Sequence, residues 1–252
     1  MLSDDDLLRY SRQILLRQID IDGQLKIAAG RVLVVGLGGL GSPLALYLAA
    51  AGVGELHLAD FDTVDLTNLQ RQVLHNGASV GQAKVDSAMA RLAALNPNVR
   101  LLPLRCALDA DTLSAAVAAV DVVVDCCDNF ATRAAVNAAC VAAGRPLVSG
   151  AAIRLEGQLA VFDPRRADSP CYHCLYGEGG DEELTCSEAG VLGPLVGTVG
   201  SLQALETLKL LAGFGEPLVG RLLLIDALTT RFRELRVKRD PLCAVCGNRH
   251  GQ

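Results

Sequence analysis

The chain of 252 residues is short of positive charge: 23 Lys and Arg stand against 28 Asp and Glu, a formal net charge of −5. That balance leaves no basic field to hold nucleic acid or an acidic membrane surface. No apolar run is long enough to span a bilayer. The opening residues, MLSDDDLLRY, are acidic where a secretory leader is basic and then apolar. A cytoplasmic location is therefore the expectation. Low-complexity linkers and repeats are also missing, which points to one domain over 1–252 with a C-terminal extension. Histidine is scarce, with only His57, His75, His173 and His250, and none offers a visible serine or cysteine partner in a polar loop. Apolar residues, by contrast, make up 51% of the chain, ample for a full core.

What is present centres on Arg31 to Asp60. Val32 to Val35 is a short β-branched apolar run, as in a strand buried on both faces. It ends in Gly36-Leu37-Gly38-Gly39-Leu40-Gly41, a G-x-G-x-x-G turn. Gly36 permits the tight turn, Gly38 lets backbone approach a phosphate, and Gly41 lets the next helix pack on its strand. Ser42 to Gly52 reads as that helix, whose N-terminus suits an anion. A strand from Glu55 to Ala59 follows, and Asp60 at its end is placed to bond a ribose hydroxyl.

Elsewhere the pattern predicts a helix over residues 4–19, capped by Ser3, within a helical arm spanning 1–28. A helix opened by Gly81-Gln82-Ala83-Lys84 and running to about Leu95, and helices from Asp109 to Val120 and Ala131 to Ala143, alternate with strands at Arg100–Leu104, Val122–Asp125 and Pro146–Ser149. Such alternation predicts a Rossmann-like α/β fold, a doubly wound and mostly parallel sheet, over a nucleotide-binding core at 30–150. After 151 the rhythm changes: an added strand at Leu155–Phe162, loops over 163–190, and a helix from Pro194 to Ala212. That helix carries small residues at Gly197, Gly200, Ser201 and Ala204, suited to close packing against another element, a second subunit being one candidate. Strands at Leu222–Asp226 and Phe232–Val237 close the chain.

Arg71, Lys84 and Asp128 each follow a strand of the expected sheet and converge above the glycine turn. A dehydrogenase needs neither two cations nor a second acid there. An ATP site uses both, with a carboxylate on Mg²⁺. Gly41 is followed by Ser42-Pro43 and not Lys-Ser/Thr, so the turn is no P-loop. Taken singly, Arg71 and Lys84 read as solvated charges and Asp128 as a helix cap.

Arg9-Tyr10-Ser11-Arg12-Gln13, the glycine turn, Asp60-Phe61-Asp62, Asn68-Leu69-Gln70-Arg71-Gln72, Asp125-Cys126-Cys127-Asp128-Asn129 and two C-x-x-C pairs resemble the MoeB/ThiF family, related to ubiquitin-activating enzymes. The resemblance covers nearly the whole chain and is nearest the molybdopterin branch, with the thiamine branch as the alternative. It implies an adenylyltransferase that joins ATP to the C-terminal glycine of a small ubiquitin-like sulfur-carrier protein ending in Gly-Gly. It further implies that Gly36, Gly38, Gly39, Gly41, Asp60, Asp62, Asn68, Arg71, Lys84 and Asp128 bind the nucleotide. Asp60 is then on the ribose, Asp128 on Mg²⁺, and Arg71 and Lys84 on phosphates, with Asn68 near them. Arg12 is implied to reach the phosphates from the other subunit of a homodimer, although the residues alone read it as a surface charge. The other classes weighed are an NAD-dependent oxidoreductase, supported only by the glycine turn and Asp60, and a non-catalytic partner subunit.

Nine cysteines, an odd count in a reducing compartment, do not suggest a disulfide framework. Cys171 and Cys174 form one C-x-x-C pair, and Cys243 and Cys246 a second. Two such turns complete a tetrahedral Zn²⁺ shell with no open position, a structural clip from tail to body. Cys186 lies where some relatives use a cysteine to hold the carrier covalently. Cys106, Cys126, Cys127 and Cys140 read as buried small hydrophobes.

Overall fold

In the computed structural model, residues 2–177 and 189–247 are described. The single helix expected over 4–19 is broken into α1 (Asp4–Arg9) and α2 (Ser11–Ile14), and a further helix, α3 (Asp20–Ala29), follows. Tyr10 causes the break. Its backbone leaves the helical region, its side chain is 4% exposed, and its hydroxyl accepts from Asn96 Nδ2 at 2.8 Å. Burying the ring inside the protein outweighs one more turn of helix on its surface.

Eight strands make one sheet: β1 (Arg31–Val35), β2 (Glu55–Ala59), β3 (Arg100–Leu104), β4 (Val122–Asp125), β5 (Leu147–Ile153), β6 (Glu156–Phe162), β7 (Arg221–Asp226) and β8 (Arg231–Arg236). Their order is β3-β2-β1-β4-β5-β6-β7-β8. The first five pair in parallel. Helices α4 (Gly41–Ala51), α5 (Lys84–Leu95), α6 (Ala110–Ala118) and α7 (Phe130–Ala143) make the crossovers. Alternate residues of β1 feed two cores. Val32 and Val34 pack with Leu44, Leu48, Val85 and Leu92 on one face, while Leu33 and Val35 pack with Leu113, Val117 and Val136 on the other. Each such fully buried side chain contributes on the order of 1.5–3 kcal/mol. Only Arg154 and Leu155 separate β5 from β6, too short for a crossover, so β6 turns back antiparallel. β7 and β8 continue the antiparallel run, and all six residues of β8 are exposed.

Two helices complete the described chain, α8 (Tyr172–Tyr176) and α9 (Gly193–Ala212). One of the small residues of α9 is required by a contact within the chain. A Cβ on Gly200 would stand 2.3 Å from Leu40 O, where α9 crosses the start of α4. That close approach replaces the second subunit as the reason for glycine at 200, while Gly197 faces open space. Among the described residues, no helix is long and apolar enough to cross a membrane.

Candidate functional site

The winding reverses between β1 and β4, and an open parallel sheet holds its ligands outside the strand ends at such a point. A cavity of about 480 Å³ opens there, lined by Gly36, Gly38, Gly39, Asp60, Asp62, Arg71, Lys84 and Asp128 together. Gly36 has φ +95, and a Cβ on it would meet Cys126 O at 2.8 Å. A Cβ on Gly41 would stand 1.9 Å from Gly36 O, so Gly41 serves the packing of α4 and does not line the cavity.

Asp60 grips the glycine turn. Its Oδ2 accepts from Leu37 N at 2.7 Å and its Oδ1 from Asp62 N at 2.9 Å. Each carboxylate oxygen has a second acceptor site, which suits a ligand hydroxyl. Lys84 is not a free cation: its buried ammonium lies 2.8 Å from Asp62 Oδ2, with two N–H donors left over. Arg71 is half-buried and donates to Thr67 O at 3.1 Å. Asp128 is exposed to the cavity, and its carboxylate accepts no hydrogen bond among the described residues. The cap of α7 falls to Asn129, whose Oδ1 accepts from Thr132 N at 2.9 Å.

Two sequence candidates stand apart from the cavity. Asn68 closes a 3₁₀ turn by accepting from Asp65 N at 3.3 Å. Arg12 is exposed on an arm docked at the far end of α4, where Gln13 Nε2 donates to Ala51 O at 3.2 Å. The glycine turn is at the other end of that 11-residue helix, about 15 Å away along its axis. Cys186 lies outside the described residues.

Several residues to which the sequence assigned no role in the site surround it. Under Asp128, the Asp125 carboxylate accepts from Cys127 N at 2.9 Å and from Ser149 Oγ at 2.8 Å. Arg133 donates to Cys127 O and lies 3.7 Å from Asp125. Burial opposes the Arg133 charge, but the Asp125 carboxylate, together with Tyr172, Cys127 and Tyr176, outweighs it and keeps the guanidinium ionised. Gln203 of α9 donates to Asp125 O at 2.7 Å. Tyr172 and Tyr176, with ring centroids 4.4 Å apart, form a further wall. Cys106 is an exposed thiol on the rim and not a buried one, because the loop after β3 carries it out of the core. Cys126, Cys127 and Cys140 are buried, and burial pushes their thiols up, away from reactive thiolate. His75 has the serine partner that the sequence did not reveal: Nδ1 is 2.9 Å from Ser87 Oγ on α5, and Nε2 is 3.0 Å from Leu37 O. Neither His75 nor Ser87 lines the cavity, so the pair is no nucleophile and base.

The sulfurs of Cys171, Cys174, Cys243 and Cys246 lie within 4.8 Å of one another. Neighbouring pairs are 3.8, 3.6 and 3.4 Å apart, too long for disulfides. Tetrahedral thiolates about 2.3 Å from a zinc ion stand roughly 3.8 Å from each other, so the four fit such a shell. Burial raises the Cys171 and Cys174 pKa values, so thiolates there need a cation to offset their charge. Asp240 N points at Cys174 Sγ from 3.5 Å, a contact that favours a sulfur bearing charge.

A glycine turn, two cations and a free carboxylate at the switch point of a doubly wound sheet define a nucleotide-binding protein of Rossmann type. The ThiF family matches residues 10–245, and the chain belongs to that family. Molybdopterin-synthase adenylyltransferase of Escherichia coli (strain K12) is 54% identical over 246 residues, 98% of each chain. The sulfur carrier protein ThiS adenylyltransferase of the same organism is 48% identical, over 98% of this chain and 97% of its own. The crystal structure of E. coli MccB with ATP superposes with a TM-score of 0.84 at 25% identity, over 95% of this chain and 74% of that one. With these relatives the chain is an adenylyltransferase, a nucleotidyltransferase that uses ATP.

Proposed function

We propose that the protein activates the C-terminal glycine of a small ubiquitin-like sulfur-carrier protein for molybdopterin biosynthesis. One observation carries the reading: the uncommitted Asp128 carboxylate faces Arg71, Lys84 and the glycine turn across a single cavity. A C-terminal carboxylate has a pKa of about 3.5 and is ionised at neutral pH, so no general base is required. A carboxylate oxygen attacks the α-phosphorus of ATP. The bond from that phosphorus to the bridging oxygen breaks, and pyrophosphate leaves with the electron pair. The acyl-adenylate stays on the enzyme.

The chain's residues then have distinct tasks. Asp60 takes the ribose hydroxyls, and the glycine-turn N–H groups with Arg71 and Lys84 take phosphate oxygens, while Asn68, which does not line the cavity, shapes the turn that leads to Arg71. Asp62, now paired with Lys84, releases it in part to the phosphates. Asp128 holds Mg²⁺, which when bound neutralises charge on the phosphates. The carrier's tail enters over β5 to β7, past Ala151, Gln158 and Leu224, within the extension at 151–252 that binds the carrier.

Arg12 completes the site in trans. In its own chain it sits at the wrong end of α4, and around it Leu8, Leu15 and Leu16 are exposed at 75, 71 and 52%, an apolar face suited to a second copy. Zn²⁺ on the four cysteines is structural, and the protein works in the cytoplasm. ATP–pyrophosphate exchange tests the reading with carriers ending in Gly-Gly. Exchange with a molybdopterin-pathway carrier is expected. Exchange with a thiamine-pathway carrier alone shifts the assignment to that branch, and exchange with neither removes the reading.

A further inference from the structure

The peptide between Leu37 and Gly38 is held on one side by a histidine that no motif singles out. His75 is 6% exposed and Ser87 equally buried. A carbonyl can only accept, so Nε2 carries the proton in the bond to Leu37 O, and Nδ1 accepts from the Ser87 hydroxyl. Leu37 N is meanwhile committed to Asp60 Oδ2 at 2.7 Å. In a trans peptide the C=O and the next N–H point in opposite directions. Drawing the Leu37 carbonyl inward onto His75 therefore turns the Gly38 N–H outward, and Gly38 lines the cavity. That N–H donates to nothing among the described residues. Glycine at 38 makes the peptide cheap to rotate, so the outward orientation needs a restraint. Among the described residues, the one other donor to Leu37 O is Ser42 Oγ, at a long 3.4 Å.

We propose that His75 is a positioning residue that fixes the Gly38 N–H toward a nucleotide phosphate, and that through Ser87 it holds this turn in register with the helix carrying Lys84. The inference rests on the nucleotide reading of the cavity. Glutamine at 75 can set an amide N–H where Nε2 was, keeping the bond to Leu37. Asparagine reaches only the Nδ1 position, keeping the Ser87 contact and losing Leu37.

Equilibrium ATP binding, with thermal unfolding as a control, separates the possibilities. His75→Asn should raise the Kd for ATP roughly tenfold, the worth of one oriented hydrogen bond. His75→Gln should stay within about threefold of the parent, and Ser87→Ala should raise the Kd, by less than His75→Asn does, because it removes the tie to α5 and leaves the bond to Leu37 O. The KM for the carrier should not change in any of them. If His75 merely buttresses α5, His75→Asn binds as well as His75→Gln, and the proposal falls. It also falls if the carrier KM rises in step with the ATP Kd. Nitrogen-15 NMR of the unsubstituted protein gives a test that needs no variant: the Nε2–H tautomer should dominate at neutral pH, and the Nδ1–H tautomer overturns the clamp. A parent that binds no ATP at all counts against the nucleotide reading, while the tautomer still decides the clamp.

Discussion

The two halves of the sheet solve different problems. From β3 to β5, every strand is parallel and ends at the cavity, and the four strands inside the edge strand β3 are buried on both faces. From β6 to β8, the strands form an antiparallel meander that thins to an edge strand exposed along its whole length. The first half is rigid because its burial is two-sided, and that rigidity lets short loops hold charged groups in position. The second half has far less apolar packing of its own. Its outer end is tied back by the cysteine pairs, and its inner strands lend the cavity a floor. Chemistry is concentrated where the packing is deepest, and surface for a partner is left where it is thinnest.

Asp128→Ala gives the largest expected break in this comparison. Exchange activity should fall by about 10³-fold or more, while stability stays within about 0.5 kcal/mol, because the carboxylate supports no contact in the fold. An active variant would move the metal site elsewhere.

Arg12→Ala alone should be slower by about 10³-fold, as for other guanidinium groups supplied in trans to phosphates. A mixed dimer of Arg12→Ala with Asp128→Ala, isolated by two tags, contains one intact site if Arg12 crosses the interface. Its activity should return, and an assembled but dead mixed dimer rules the exchange out.

Cys243→Ser sharpens the contrast between the halves. The protein should carry about one zinc per chain and lose it in the variant, at a cost of roughly 3–5 kcal/mol. Hydrogen exchange should quicken in β7 and β8 first and leave β1 to β4 protected. Equal loosening of both halves would contradict the division drawn above.

The smallest effect is one of pH. Burial and the neighbouring Lys84 charge lower the His75 pKa below 6.5, against the opposing pull of Leu37 O and Asp60. The unfolded chain therefore binds a proton near pH 6.5 that the folded chain does not. Stability is fully present above that pH and is lost on acidification toward the folded value, at no more than about 1.4 kcal/mol per pH unit. Urea midpoints measured from pH 7.5 to 5.5 should show this slope, and His75→Gln should remove that part of it.

The parallel half was legible because its determinants are local. A β-branched run, a glycine turn and an acid at the next strand end lie within thirty residues and constrain one another. Most helix limits there fall within a residue or two of the pattern. What escaped depends on contacts between distant positions. Tyr10 breaks a helix to reach Asn96, and no window of sequence contains both. Asn129 takes the cap that Asp128 was equally able to supply, a choice made by geometry one residue apart. His75 and Ser87 are twelve residues apart on a loop and a helix, and only the fold aligns them with Leu37. Helix α9 showed its small residues plainly but not the neighbour of Gly200, which is the start of α4 in the same chain.

The cysteine clip also changes the topology of the chain. Cys171 and Cys243 are 72 positions apart, and α9, β7 and β8 all lie between the two C-x-x-C pairs. With a metal ion on all four sulfurs, that segment is a closed ring and not a tail. Were the ion to stay on all four sulfurs in the unfolded chain, a ring of this size would forfeit loop entropy worth about 4 kcal/mol in the chain-entropy picture. With such an ion bound, the exposed edge strand would have no free end from which to fray: β8 would open only as a loop held at both ends, and re-pairing with β7 would start from a short search.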